Sequence, residues 1–98
     1  MLNHVICIRW VEGASEAAKQ SVMDGLLGLR EHIDTIRSMR MGPDLGIRVD
    51  NFDFASLIEF DDVEGYLTFR DHPAHQQVVR EFIQPAMAER AGVVFTSP

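Results

Sequence analysis

An α+β fold, with a four-stranded antiparallel sheet and helices on one of its faces, is the class this sequence predicts. Three observations carry it. The apolar patterns run in the order β-α-β-β-α-β, the helical patterns begin at recognisable caps, and apolar residues fill both alternating sets of the strands. At 98 residues the chain is expected to be a single domain spanning 1–98, and its 46% hydrophobic and 24% charged content is that of an ordinary globular protein.

The first strand is expected from Leu2 to Val11, where Val5, Ile6, Cys7, Ile8, Trp10 and Val11 are all β-formers. Gly13 ends it. Ser15 is the candidate N-cap of the first helix, and Glu16 complements its dipole. Ala18, Val22, Leu26, Leu29 and Ile33 then recur at helical spacing, carrying the helix to about His32. A second strand, Ile36 to Met41, is stopped by Gly42-Pro43, and Asp44 to Asn51 reads as a loop. Phe52 to Phe60 is the third strand. Asp61 is expected to open the second helix, with Glu64 at capping-box spacing, and the pattern runs to Phe69 or Arg70. His72-Pro73 restarts it, since proline is tolerated at a first helical position. Val78, Val79, Phe82 and Ile83 give a buried stripe, Pro85 should kink or tighten the turn, and Gly92 follows the helix end. Val93 to Thr96 is the expected last strand.

Four strands in this order, with both crossovers on one side, make a ferredoxin-like sheet. In the first strand Ile6, Ile8 and Trp10 point one way while Val5, Cys7 and Val11 point the other; in the third, Phe54 and Ile58 oppose Ala55 and Leu57. A sheet with one face in water would show polar residues on one set. Neither set here is polar, so a second copy of the sheet, packed about a two-fold axis, is the expected cover. The chain is therefore read as a homodimer, with Ile8 and Trp10 as the candidate seam residues.

A net charge of −6 excludes the basic surface that nucleic acid or an anionic membrane requires. No stretch approaches transmembrane length, and no leader pattern opens the sequence. A single cysteine, Cys7, permits no intrachain disulfide, which points to a reducing compartment and a cytoplasmic protein. His72 and His75 stand three apart without a cysteine or carboxylate cluster at ligand spacing, so no zinc site is assigned. Acid–base chemistry is the remaining reading: His75 in a first helical turn and His4 on the first strand would form a pair if the fold joins them.

The start Met1-x-x-His4-Val5-Ile6-x-x-Arg9, the pair Gly42-Pro43, and the run His72-Pro73-Ala74-His75 with Phe82-Ile83 and Pro85 downstream together resemble the stress-responsive A/B barrel domain. That family is a branch of the dimeric α+β barrel superfamily, and the resemblance runs from His4 to Phe95. It implies a ferredoxin-like protomer and a dimer whose two sheets form a barrel, and it implies no single activity. By resemblance to a plant polyketide cyclase of the family, olivetolic acid cyclase, His4 and His75 would be catalytic in an aldol-type ring closure. The tyrosines that assist that enzyme fall on Leu26 and Phe69, which carry no hydroxyl; Tyr66, one helical turn before Phe69, is the available substitute. His72 is expected to cap its helix or pack behind the site. The resemblance also implies a magnesium ion on backbone carbonyls around Arg30, Ile33 and Ile36, and no other cofactor. Three readings stay open: a barrel that binds a small apolar molecule, an enzyme (a cyclase-like lyase or a cofactor-free monooxygenase), and a stress-associated structural protein.

Overall fold

Local signals place most elements where the chain needs them in the computed structural model, which describes residues 1–98. Strand β1, Leu2–Trp10, leads to helix α1, Glu16–Gly28, whose N-terminus is capped by Ser15: its hydroxyl accepts the Ala18 amide at 3.1 Å. A single 3₁₀ turn, Leu29–Glu31, closes α1. Strand β2 is Ser38–Pro43 and β3 is Phe54–Phe60. Helix α2, Val63–Asp71, is capped by Asp62, one residue later than the spacing predicted; its carboxylate accepts the Gly65 amide at 2.8 Å. Helix α3, Pro73–Val78, follows directly, then a π-helical turn Val79–Ile83 and a last turn Gln84–Ala86. Strand β4 is Met87–Thr96.

The sheet order is β2-β3-β1-β4 with every pair antiparallel, the ferredoxin-like topology that the element order predicts. No helix is long and apolar enough to cross a membrane. The second strand begins two residues later than expected because Ile36 is spent in a turn, its amide on the Ile33 carbonyl, and pairing starts when the Arg37 amide reaches Glu59. The third starts at Phe54 because Asp53 is used as a clasp. Its amide donates to the Ile8 carbonyl and its carboxylate accepts the Trp10 amide at 2.9 Å.

The largest departure is at the C-terminus. The helix stops at Ala86, and Met87–Thr96 pairs with β1 except at Ala88, where the register shifts, so Gly92 lies inside a strand instead of after a helix. Met87 to Ala91 are helix-formers by propensity, but a nine-residue β1 with β3 on one side leaves a row of backbone groups that needs a partner on the other. Pro85 helps by withholding an amide from the helical ladder, and the turn before it widens until the Gln84 amide meets the Val79 carbonyl five residues back.

Leu2, His4, Ile6, Ile8 and Trp10 share the helix-covered face with Phe54, Ser56, Ile58 and Phe60. Ile8 is 1% exposed, and the Trp10 ring packs 5.5 Å from that of Phe54. This corrects the expectation that Ile8 and Trp10 form a seam: both belong to the protomer's own helix side. The opposite face carries two rows across the sheet, Leu57–Val5–Val93 and Ala55–Cys7–Ala91, with Phe95 beside them. Val93 and Phe95 are left 59% and 46% exposed there.

Helix α1 approaches α3 and the π-helical turn closely through Gly25. A Cβ at that position would stand 3.2 Å from side-chain carbons of both Val78 and Phe82. Gly25→Leu is therefore expected to push α1 off this contact and destabilise the protein by about 1–3 kcal/mol, read as a lowered thermal midpoint. An unchanged midpoint would refute the close approach.

Candidate functional site

Between the helix-side face of the sheet and the broken second helix lies a cleft of about 390 Å³. Strand β1 supplies His4, Ile6 and Ile8; α2 supplies Tyr66 and Phe69; α3 supplies His75. Leu26 of α1, Val79 and Ile83 of the widened turn, and Met87 and Arg90 of β4 complete its walls. No carboxylate lines it.

His4 sits at the base. It is 9% exposed, with its ring centroid 5.0 Å from that of Tyr66 and 5.8 Å from that of Phe69. Its Nδ1 is buried and has no hydrogen-bond partner. Burial first, then the nearby positive charges of His75 and Arg90, push its pKa from 6.5 down to about 4. The imidazole is thus neutral at physiological pH.

His75 is held by the break between α2 and α3. In an unbroken helix the Ala74 amide would fill the Arg70 carbonyl. Here His72 stands in extended conformation, caps α3, and takes the Ala74 amide on its own Nδ1 at 3.0 Å. The Arg70 carbonyl is thereby left for His75 Nδ1 at 3.0 Å and for the Gln76 side-chain amide at 2.7 Å. A carbonyl only accepts, so Nδ1 of His75 carries the proton and Nε2 keeps its lone pair in the neutral ring. Burial lowers the pKa of His75, and the bond to the Arg70 carbonyl partly opposes that shift. Its ring lies over Phe69, centroids 4.2 Å apart, and Phe69 also packs against His4 at 5.8 Å.

Of the residues the sequence singled out, His4, His75, Tyr66, Phe69 and Leu26 thus line one cleft, while His72 lies outside its lining and acts as a cap. Arg90, Gln84 and Met87 went unnoticed because that stretch read as helix; the unmatched length of β1 was the signal that could have revealed them. The carbonyls around Arg30, Ile33 and Ile36, where the family resemblance implies a magnesium ion, lie in the turns that follow α1. Ile33 O already accepts the Ile36 amide, and the neighbouring Arg37 and Asp34 carbonyls accept the guanidinium groups of Arg30 and Arg37 at 3.1 and 2.9 Å.

A ferredoxin-like protomer with two histidines on a helix-side cleft defines the class. The family model of the Stress responsive A/B Barrel Domain matches residues 2–96, and the chain belongs to that family. Among solved structures it is similar to a dimeric ferredoxin-like protein of unknown function from Thermobifida fusca, at 28% identity and a TM-score of 0.89, over 98% of this chain and 90% of that one. It is also similar to a hydroxynitrile lyase from Passiflora edulis, at 22% identity and a TM-score of 0.85, over 99% and 96% of the two chains. A Dabb family protein with a ferredoxin-like fold from Mesorhizobium loti gives 15% identity and a TM-score of 0.82, over 99% and 96%. No curated protein matches the chain.

Proposed function

We propose that the protein is a homodimer whose cleft binds a small, largely apolar molecule and moves a proton on it with His75 and His4. The observation that carries this is the His75 tautomer. A neutral imidazole, its proton directed to the Arg70 carbonyl, leaves Nε2 as a base at an apolar cleft. A carbon acid beside a carbonyl would lose its proton to Nε2, and the electron pair would move onto the carbonyl oxygen. The same nitrogen, then protonated, returns the proton. His4 and Tyr66, packed together in the same cleft, are the groups that can meet the developing oxyanion. The lyase from Passiflora edulis has the same fold, which is consistent with such chemistry on this scaffold.

Ring closure of the cyclase kind is the weaker version, because Leu26 and Phe69 bring no hydroxyl and Tyr66 alone brings one. The homodimer rests on the apolar rows of the open sheet face and on the dimeric state described for the Thermobifida fusca protein. The lone thiol of Cys7 keeps the cytoplasm as the expected compartment.

Exchange of the methylene protons of phenylacetone in deuterium oxide, followed by NMR, tests the proton step without knowledge of the natural substrate. The protein is expected to accelerate exchange, and His75→Ala to lower that acceleration about a hundredfold, the usual weight of one general base. The thermal midpoint should stay within a few degrees, since His75 is only partly buried. Binding of phenylacetone in the cleft with no exchange above the buffer rate would leave a binding protein and remove the enzyme.

A further inference from the structure

Arg90 is an unpaired cation in a cleft that has no carboxylate. It stands opposite Ile8 on the helix-covered face of β4, and no hydrogen bond or ion pair engages its guanidinium. The other arginine of the cleft, Arg70, is committed: two bonds of 2.8 and 3.1 Å tie it to Asp71. Arg90 is exposed as a residue, yet its guanidinium lies along the sheet. One of its terminal nitrogens lies 3.0 Å from where a Cβ on Gly92 would be, and Ile6 Cδ1 lies equally close to that point. Gly92 pairs with Ile6, one row nearer to His4 than the Ile8 row from which Arg90 springs. The guanidinium therefore runs back along the strand, over the space a side chain at 92 would fill, and ends beside the cleft wall that holds His4.

The charge of Arg90 already acts on His4, helping to hold that imidazole neutral. A cation at an apolar cleft without a counter-charge of the protein's own favours an anionic ligand group. The remaining walls, Ile6, Ile8, Val79, Ile83 and Met87, suit a hydrocarbon or aryl body.

We infer that the ligand of this cleft is a small apolar carboxylate, its head held by Arg90 and its body laid toward His4 and His75. This rests on the proposed reading of the cleft as the binding site and adds the class of molecule. The head group fixes which carbon faces His75 Nε2, so Arg90 is a binding and orienting residue and not a proton donor.

Three probes of one shape separate the alternatives: phenylpropanoate, phenylpropanol and phenylpropylamine, titrated against the whole protein with the imidazole resonances of His4 and His75 as reporters. The acid is expected to bind about tenfold more tightly than the alcohol, the size of one charge-assisted hydrogen bond, and the amine most weakly. Arg90→Gln should bring the acid down to the alcohol and leave the alcohol unchanged. Equal binding of acid and alcohol by the unaltered protein overturns the carboxylate assignment while leaving the cleft reading intact. An equal loss for both in Arg90→Gln overturns the anchor, since the residue would then act by packing. If none of the three moves either imidazole, the cleft reading and this inference fall together.

Discussion

Glutamate at both Leu57 and Val93 should yield folded monomers, whereas aspartate at Ile8 should unfold the chain. The two substitutions add like charge to opposite faces of one sheet. Val93 is 59% exposed in the protomer and Leu57 is half-buried, so charges there stay solvated until a second sheet covers them. Burying both in a two-fold interface would bring four carboxylates together without partners, a cost of several kcal/mol. Ile8 is 1% exposed inside the protomer, and an unpaired carboxylate there costs a large part of the about 5–15 kcal/mol that stabilises a domain. Light scattering and circular dichroism on the two variants decide the matter. A Leu57→Glu/Val93→Glu protein that remains a dimer would sink the proposed interface. A folded Ile8→Asp monomer would return Ile8 to the seam.

The second large effect is acid lability set by His4. Its pKa is 6.5 in an ordinary setting and about 4 in the fold, so an unfolded chain takes up the proton first as pH falls. Stability from this group is complete above 6.5, is lost as pH falls from 6.5 to about 4, and changes no further below that. The loss amounts to about 3 kcal/mol over that window. His75 is shifted in the same direction and adds to it. The groups facing His4 reinforce the shift, since Tyr66 and Phe69 exclude water and Arg90 and His75 are cationic or become so. Urea unfolding at fixed protein concentration, repeated across this range, should show the slope. His4→Leu should flatten it and, by removing the orphaned Nδ1, raise stability at neutral pH. A His4→Leu protein as acid-labile as its parent would refute the assignment.

The element order, the Ser15 cap and the restart at His72-Pro73 were legible in the sequence because each rests on local chemistry. Two features have no local signal in the sequence. Met87 to Ala91 look helical, and only the demand of β1 for a second neighbour makes them a strand. Ile8 and Val5 were placed correctly on opposite faces, yet nothing local distinguishes a face covered by helices from one left for a partner when both are apolar. The site divides in the same way. His4, His75 and Tyr66 stand out as residue types in a motif, while Arg90 depends on strand register and on the missing side chain at Gly92.

The helix break at His72 has a chemical consequence of its own. By diverting the Ala74 amide it releases a main-chain carbonyl, and that carbonyl decides which nitrogen of His75 is basic. Proton placement is thus written in the backbone, whereas the shape of the cleft is written in side chains such as Leu26, Phe69, Val79 and Ile83. The two can vary independently. Changes at those walls would alter which molecule is admitted and leave the base unchanged, so one scaffold could serve many substrates without reinventing its proton chemistry.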